Sequence, residues 1–461
     1  MTTLDEAIRR QAARGDQVAV AVHGRDESTA LTWQELAEAS ELRAARFTEP
    51  GCLVVSLTGQ DIDELVTLVA ALRTDRPVCV LGARQPPSVR DALLDRLHAA
   101  GSALPPGALL LASSGSTGRP KLVVDRGIRA TAAKPAVMRP FLHTGWRDGH
   151  RQVVASPLHH AAGLTPFVEG LVGGASTYLQ PVFDAAALTE LVETHRIDWL
   201  QLTPFHMSAL LTGDHGPDRW PGEPTVVHMA EHCPARVKRA FHDALGPEHV
   251  YELYTASEGI GMTMARGDEW DRRPGTVGRG FLTTLRIGDE DGVPLGPHRT
   301  GLVYLRSGAR STQTYLSAAG RLRMTPDGFA TLGDTGHLDD EGYLYLRPRQ
   351  LTTISVAGVT VSAAEVEAEL REHPGVADAG VCAVSSASLG ERVAAVVVAA
   401  DGLTEPALRR WARGRLDAAH RPARFVFAPA VPRGQTGKLD RVLLQALVEH
   451  AEEGRTTCGT T

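Results

Sequence analysis

The sequence is short of cysteine and of aromatic residues, with 5 cysteines and 5% Phe, Trp and Tyr among 461 residues. Cys52, Cys79, Cys233, Cys382 and Cys458 are far apart, and neither a C-x-x-C pair nor histidines at metal spacing accompany them. That excludes a disulfide scaffold and a thiolate zinc site, and leaves the cysteines as reduced, mostly buried small hydrophobes. No run approaches the ~18 apolar residues of a membrane span. The start, "MTTLDEAIRRQAARGDQ", lacks the apolar core of a signal peptide, so a cytoplasmic location is expected. A basic stripe is absent too: the net charge of -6 arises from acids and bases mixed along the chain, so neither nucleic acid nor a membrane surface is an expected partner. There is no fixed-period repeat, and "EEGRTTCGTT" at the end is the one tail-like segment.

What is present, 43% hydrophobic residues in a chain of this length, is enough for a large core divided over two or three domains. Helix and strand signals alternate. "TLDEAIRRQAAR" opens on a capping threonine, "DIDELVTLVAALRT" precedes the apolar "PVCVL", "DAAALTELVETHR" precedes "IDWLQL", and "PARVKRAFHDALG" precedes "VYELY". Such pairs predict a layered α/β body. From about Pro274 short strands broken by turns, such as "TLRIGDEDGVPL", "GLVYLRS" and "GYLYLRPR", predict a β-rich subdomain. Beyond Arg349 the stretches "SAAEVEAELREH", "VADAGVCAV", "ERVAAVVVAA" and "ARFVFAP" form a compact α+β set of domain size. The expected division is a large α/β domain over residues 1–348 and a small domain over residues 349–461.

Between the apolar runs "ALLLA" and "LVV" stands "SSGSTGRPK", residues 113–121. Glycine permits close backbone approach, so such a loop turns N–H groups and hydroxyls onto phosphate oxygens while lysine adds positive charge. It is not a P-loop, because Lys121 is followed by Leu122 and a strand-like segment replaces the helix. Alone it reads equally as a polar hairpin.

Other stretches decide between these. "SSGSTGRPK", "SPLHHAAGL" (156–164), "YTASEG" (254–259), "PGTVGRG" (274–280), "TLGDTGHLDDEGYLYLRPR" (331–349), "SVAGVTVSAAEVE" (355–367) and "PRGQTGKLDR" (432–441) follow one another along nearly the whole chain. In kind and order they resemble the motifs of the adenylate-forming superfamily of acyl-CoA synthetases, nonribosomal-peptide adenylation domains and luciferases. The stretches "GPEHVYELYTASEG" and "GDEWDRRPGTVGRG" are most similar to its fatty-acid, bile-acid or carnitine CoA ligase branch.

The resemblance implies that a carboxylate attacks the α-phosphorus of ATP, pyrophosphate leaves and an acyl adenylate forms, by positioning and charge neutralisation rather than a covalent enzyme intermediate. Ser113, Ser114, Gly115, Ser116, Thr117, Gly118 and Lys121 would wrap the β- and γ-phosphates. Ser257 would lie beside the α-phosphate and Glu258 would hold Mg²⁺, a cation that keeps waters and phosphates as its other ligands. Asp334 would accept both ribose hydroxyls, and Arg349 would add a ribose or phosphate contact or close the β-rich subdomain with a salt bridge. Tyr254 would stack on adenine, border the acyl pocket or fill the core. Lys438, on a second and mobile domain, would enter to bridge the carboxylate and phosphate, so adenylation and the second half-reaction would need different domain orientations.

His160, Gly163 and the residues after Tyr254, among them Gly259, would border the acid, with Thr255 narrowing or polarising the pocket. The adenine-side loop "HMAEHCP" carries Glu231 and His232, pointing to solvent or recognising a polar or amino-bearing substrate. Gly358 would admit the pantetheine arm of CoA. Leu351, Ser355 and the Ala357–Gly358 pair depart from the superfamily pattern on the acceptor side, and the chain is short ahead of the phosphate loop. The expected activity is therefore acid:CoA ligation with ATP and Mg²⁺. Transfer to an amine or carrier protein, ATP-dependent activation of nitrite for an aryl amine (a diazotase), and a catalytically silent binding module are the alternatives. Lys121, Glu258, Asp334 and Lys438 together argue against the last.

Overall fold

A computed structural model describes residues 3–24, 28–59, 61–82, 87–100, 104–113, 121–125, 127–180, 182–212, 215–308, 314–316, 322–347, 353–356, 359–386, 390–400, 402–433 and 439–456. The largest sheet has nine strands with a parallel core. Val18–His23, Ser176–Leu179, Arg151–Val154, Trp199–Leu202, Thr225–Met229 and Val250–Thr255 lie side by side in that order. Antiparallel strands close its edges, Ser28–Thr32 on one side and Met262–Arg266 followed by Arg279–Phe281 on the other.

Parallel strands buried on both faces should read as continuous apolar runs, and "TVVHM" does. Val226 packs with Leu188, Met207 and Phe241 from three helices, while its neighbour Val227 packs with Phe141, Trp146 and Trp199 on the opposite face. A second sheet runs Leu53–Leu57, Val78–Gly82 and Leu109–Ser113 in parallel, then Lys121–Asp125 and Thr314–Tyr315 antiparallel. Helices on these sheets begin where the sequence places caps. Thr3 and Thr32 form reciprocal capping boxes with Glu6 and Glu35, and Asp61 accepts from the Glu64 amide, each worth ~1 kcal/mol.

The expected β-rich subdomain is a six-stranded antiparallel sheet built on Thr283–Gly288, Gly301–Ser307, Thr335–Leu338 and Leu344–Arg347. A fourth sheet, from Thr353–Val356 to Arg424–Phe427, carries helices Ala363–Arg371, Glu405–Arg415 and Arg441–Thr456 and forms the C-terminal domain. Each described apolar cluster lies wholly before residue 348 or wholly after residue 352, so two cores have formed. The last helix takes in half of the segment read as a tail. Leu444 and Val448, one turn apart, are fully buried and dock it against Cys382 and Val396. Cys79, Cys233 and Cys382 are buried and free, as expected; Cys458 lies outside the described residues.

Two buried histidines make stability depend on pH. His206 Nδ1 accepts from the Thr203 amide, which needs an unprotonated nitrogen, and neither ring nitrogen of the fully buried His228 has a hydrogen-bond partner among the described residues. Burial pushes both down to about 3 from the usual 6.5. The unfolded chain then binds protons that the native state refuses, so stability is full above pH 6.5 and falls as pH drops from there toward 3. Each histidine should contribute ~1.4 kcal/mol per pH unit inside that window. Urea unfolding at pH 7 and at pH 5 measures the slope, which a His228→Leu variant should make shallower.

Candidate active site

Four loops leave the carboxyl ends of four adjacent parallel strands, the place where open α/β sheets bind their ligands. They carry Ser156–His160 after Arg151–Val154, Thr203–Phe205 after Trp199–Leu202, Ala230–Cys233 after Thr225–Met229, and Ala256–Gly259 after Val250–Thr255. Three of the quoted motifs are thereby side by side although more than a hundred residues separate their ends. A fourth joins them: the Tyr254 hydroxyl donates to Asp334 Oδ2 at 2.8 Å. Asp334 stands between Ala330–Thr331 and Thr335–Leu338 of the β-rich sheet, is 8% exposed, and is anchored by its carbonyl, which accepts from the Val303 amide at 2.8 Å.

Ser257, Glu258 and Gly259 are half-buried in a turn closed by the Gly259 amide and the Ala256 carbonyl. Thr255 is exposed, with its hydroxyl given to the Gly261 carbonyl. His160 precedes helix Ala161–Gly173, its ring 4.2 Å from that of His159. Gly163 has a packing reason. A Cβ there would stand 2.3 Å from the Ser156 carbonyl oxygen, so the helix could not seat against its own approach loop. Gly278 of "PGTVGRG", at φ +92° and 2.0 Å from Met264 O by the same measure, is equally irreplaceable.

Ser113 and Lys121 face each other across an antiparallel hairpin, as the strand-like segment after the loop predicts. Ser114, Gly115, Ser116, Thr117 and Gly118 lie outside the described residues, as do Arg349, Leu351, Ala357, Gly358 and Lys438.

The loop with Glu231 and His232 departs from expectation. Ala230 holds φ +88°, a conformation costing ~1–3 kcal/mol outside glycine, and it turns the chain toward the C-terminal domain. His232 is exposed, but Glu231 points neither to open solvent nor into the nucleotide cleft. Its Oε1 accepts from the Phe205 amide at 3.1 Å and its Oε2 meets Arg433 Nη1 at 3.3 Å. Burial raises the Glu231 carboxyl above its usual range while Arg433 opposes the rise. Beneath the loop, Lys238 Nζ and Glu252 Oε2 pair at 2.6 Å, almost fully buried. Burial alone would raise Glu252, but Lys238 holds it below the usual value. Removing one partner of such a pair costs ~3–5 kcal/mol, so the loop rests on a stiff support.

Among the described residues no three His, Cys, Asp or Glu side chains converge on one point. A lone carboxylate such as Glu258 suits Mg²⁺, which retains waters and phosphate oxygens as its other ligands. A cavity of about 510 Å³ sits at the opposite, amino-terminal ends of the same strands, lined by both signs of charge including Arg151, Asp198 and Glu223, and holds none of the residues expected to contact nucleotide or acid.

Residues 106–316 match the AMP-binding enzyme family, and residues 365–438 match the AMP-binding enzyme C-terminal domain. A sulfoacetate–CoA ligase of Cupriavidus necator is 30% identical over 378 residues, covering 76% of this chain and 70% of its own. The chain belongs to the AMP-binding, adenylate-forming enzyme family. A 2-succinylbenzoate–CoA ligase of Bacillus velezensis is 26% identical over 349 residues, covering 74% of this chain and 69% of its own. Among solved structures, the o-succinylbenzoate CoA synthetase of Bacillus subtilis with its acyl-adenylate superposes with a TM-score of 0.76 at 20% identity, covering 96% of this chain and 99% of that one. An anthranilate CoA ligase with anthranoyl-AMP gives 0.78 at 17%, covering 98% of both chains, a likeness of fold. Like its family, the protein is an ATP-dependent, AMP-forming ligase. Sequence reasoning did not single out Arg433, Asp378 or Phe205. Arg433 lies within the quoted "PRGQTGKLDR", but only its partners, distant in sequence, reveal its place.

Proposed function

We propose that the enzyme activates a small organic acid with ATP and passes the acyl group to CoA. The observation that carries the nucleotide part is the Tyr254–Asp334 hydrogen bond, which sets the ribose-binding carboxylate beside the motif of Ser257 and Glu258. An aspartate held at two atoms, by Val303 through its backbone and Tyr254 through its carboxylate, is oriented before the nucleotide arrives, which lowers the cost of binding.

In this reading Ser114, Gly115, Ser116, Thr117, Gly118 and Lys121 take the β- and γ-phosphates, Ser257 lies by the α-phosphate, and Glu258 holds Mg²⁺, which neutralises developing phosphate charge. Tyr254 presents its ring to the adenine while its hydroxyl keeps Asp334 in place. His160 and Gly259 border the acid. Lys438, from the mobile C-terminal domain, stabilises the pentavalent phosphorus and the departing oxygen. The CoA-ligase relatives support the thiol acceptor, with Gly358 at its approach. They lend no support to nitrite activation, and the departures at Leu351 and Ser355 stay within the ligase reading.

Pyrophosphate release from ATP and Mg²⁺, measured across fatty, aromatic and amino-aromatic acids with and without CoA, tests this. The expected result is acid-dependent release and an acyl-CoA product. Release that requires nitrite and an aryl amine instead would replace the carboxylic acid.

A further inference from the structure

Arg433 is gripped from both domains. Its Nε and Nη2 donate to the two oxygens of Asp378, each at 2.7 Å, a bidentate geometry that fixes the guanidinium plane. Asp378 is itself held by Arg371 Nε at 3.1 Å, so the grip within the C-terminal domain is braced. Across the boundary, Arg433 lies 5.2 Å from the Phe205 ring centroid and meets Glu231 Oε2 through Nη1. The Arg433 side chain is 8% exposed and that of Glu231 20%, so the pair is shielded from solvent far more than a surface ion pair.

The backbone gives this grip a consequence. Arg433 bridges Leu439 in antiparallel fashion and the Asp440 amide donates to the Pro432 carbonyl at 2.9 Å, so Arg433 is tied to the residue that follows Lys438 in sequence. Whatever holds Arg433 against Glu231 also fixes the point from which that lysine departs. Three further bonds cross the same boundary, from the Ala235 amide to Glu372 Oε1 at 3.0 Å, from Arg236 Nη2 to the Val376 carbonyl at 2.8 Å and from Arg236 Nε to the Arg371 carbonyl. Those anchor one helix end. Glu231 and Phe205, by contrast, sit at the carboxyl ends of the sheet, Glu231 directly after the left-handed Ala230.

We propose that Glu231 is a positioning residue for adenylation: it accepts Arg433 across the domain boundary and thereby holds the C-terminal domain in the orientation that sets Arg433 against the loops at the carboxyl ends of the sheet. The inference rests on the proposed function for its chemical readout and on geometry alone for its structural one. Glu231 competes for no substrate in this role; its release frees the C-terminal domain for the acceptor step.

Glu231→Gln keeps the acceptor for the Phe205 amide and removes the charge facing Arg433. In the full chain, acid-dependent ATP–pyrophosphate exchange should fall in kcat about tenfold, the equivalent of ~1.4 kcal/mol, with KM for ATP and acid within about twofold. Thioester formation from supplied acyl-adenylate should not slow. A drop in both half-reactions together, or a change confined to KM for the acid, would overturn the proposal. The second arm needs no turnover: spin labels at exposed Asp243 and Gln445, one per domain, should give one narrow distance in the unsubstituted protein and a broadened distribution in Glu231→Gln. An unchanged distribution overturns the proposal even if no acid is ever activated, whereas broadening without exchange in the parent protein indicts only the chemical reading.

Discussion

Lys438→Ala is expected to reduce acid-dependent pyrophosphate exchange by about a hundred- to a thousandfold, the usual cost of deleting one preorganised charge from a developing transition state. The argument is electrostatic. When the carboxylate attacks the α-phosphorus, negative charge spreads over the equatorial and leaving oxygens, and glycine-flanked Lys438 is the side chain proposed to meet it from the C-terminal domain. Because it comes from the other domain, its removal should leave ATP affinity within a fewfold and the unfolding midpoint unchanged. Thioester formation from supplied acyl-adenylate should persist, since that step needs no phosphoryl transfer. Exchange and thioester synthesis measured side by side on one preparation distinguish this from misfolding, and undiminished exchange removes Lys438 from the reaction.

Asp334→Ala is expected to raise KM for ATP about a hundredfold. The two charge-assisted hydrogen bonds that Asp334 is proposed to accept from the ribose are each worth ~1.5–3 kcal/mol, and the substitution also removes the acceptor of the Tyr254 hydroxyl. Asp334→Asn provides the internal control. It still accepts from Tyr254 through its carbonyl, so the fold should hold, but its amide nitrogen cannot accept the second ribose hydroxyl and most of the loss should remain. Tyr254→Phe, which removes one hydrogen bond to Asp334 without touching its charge, should cost only about fivefold. Isothermal titration with a non-hydrolysable ATP analogue orders the three variants, and an affinity for Asp334→Ala equal to that of the unsubstituted protein would remove it from the ribose role.

How far the sequence could be read differs from place to place. The helices from Ala185 and Ala235 and the strands after them were legible because each carries its own period, cap and stop signal within a dozen residues. The hairpin from Ser113 to Lys121 was legible because a strand-like segment replaced a helix. Tyr254, Ser257 and Asp334 were recognisable through their motifs, but not the bond from Tyr254 to Asp334. That contact spans eighty positions and depends on how two sheets pack. Glu231 was read as facing solvent or substrate because it is unusual in a loop of this kind; its direction is set by the left-handed Ala230 and by an arginine 202 positions away. Gly163 was read as bordering the substrate; the structure adds a packing demand from the carbonyl of Ser156, a steric fact with no sequence signature.

The four loops at the carboxyl ends of neighbouring strands bear on how such an enzyme changes its preference. Registers between those strands are set by backbone pairing and by apolar layers on both faces, none of which involves a loop residue. Exchanging side chains at His160, or at Thr255, the last residue of its strand, is therefore expected to alter what the cleft admits without disturbing the framework beneath it, whereas the glycines at 163 and 278 are fixed points that no such exchange can cross. A library confined to the exposed loop positions should yield folded proteins with altered acid selectivity at high frequency, and one that includes the two glycines should lose folded members in proportion to how often they are hit.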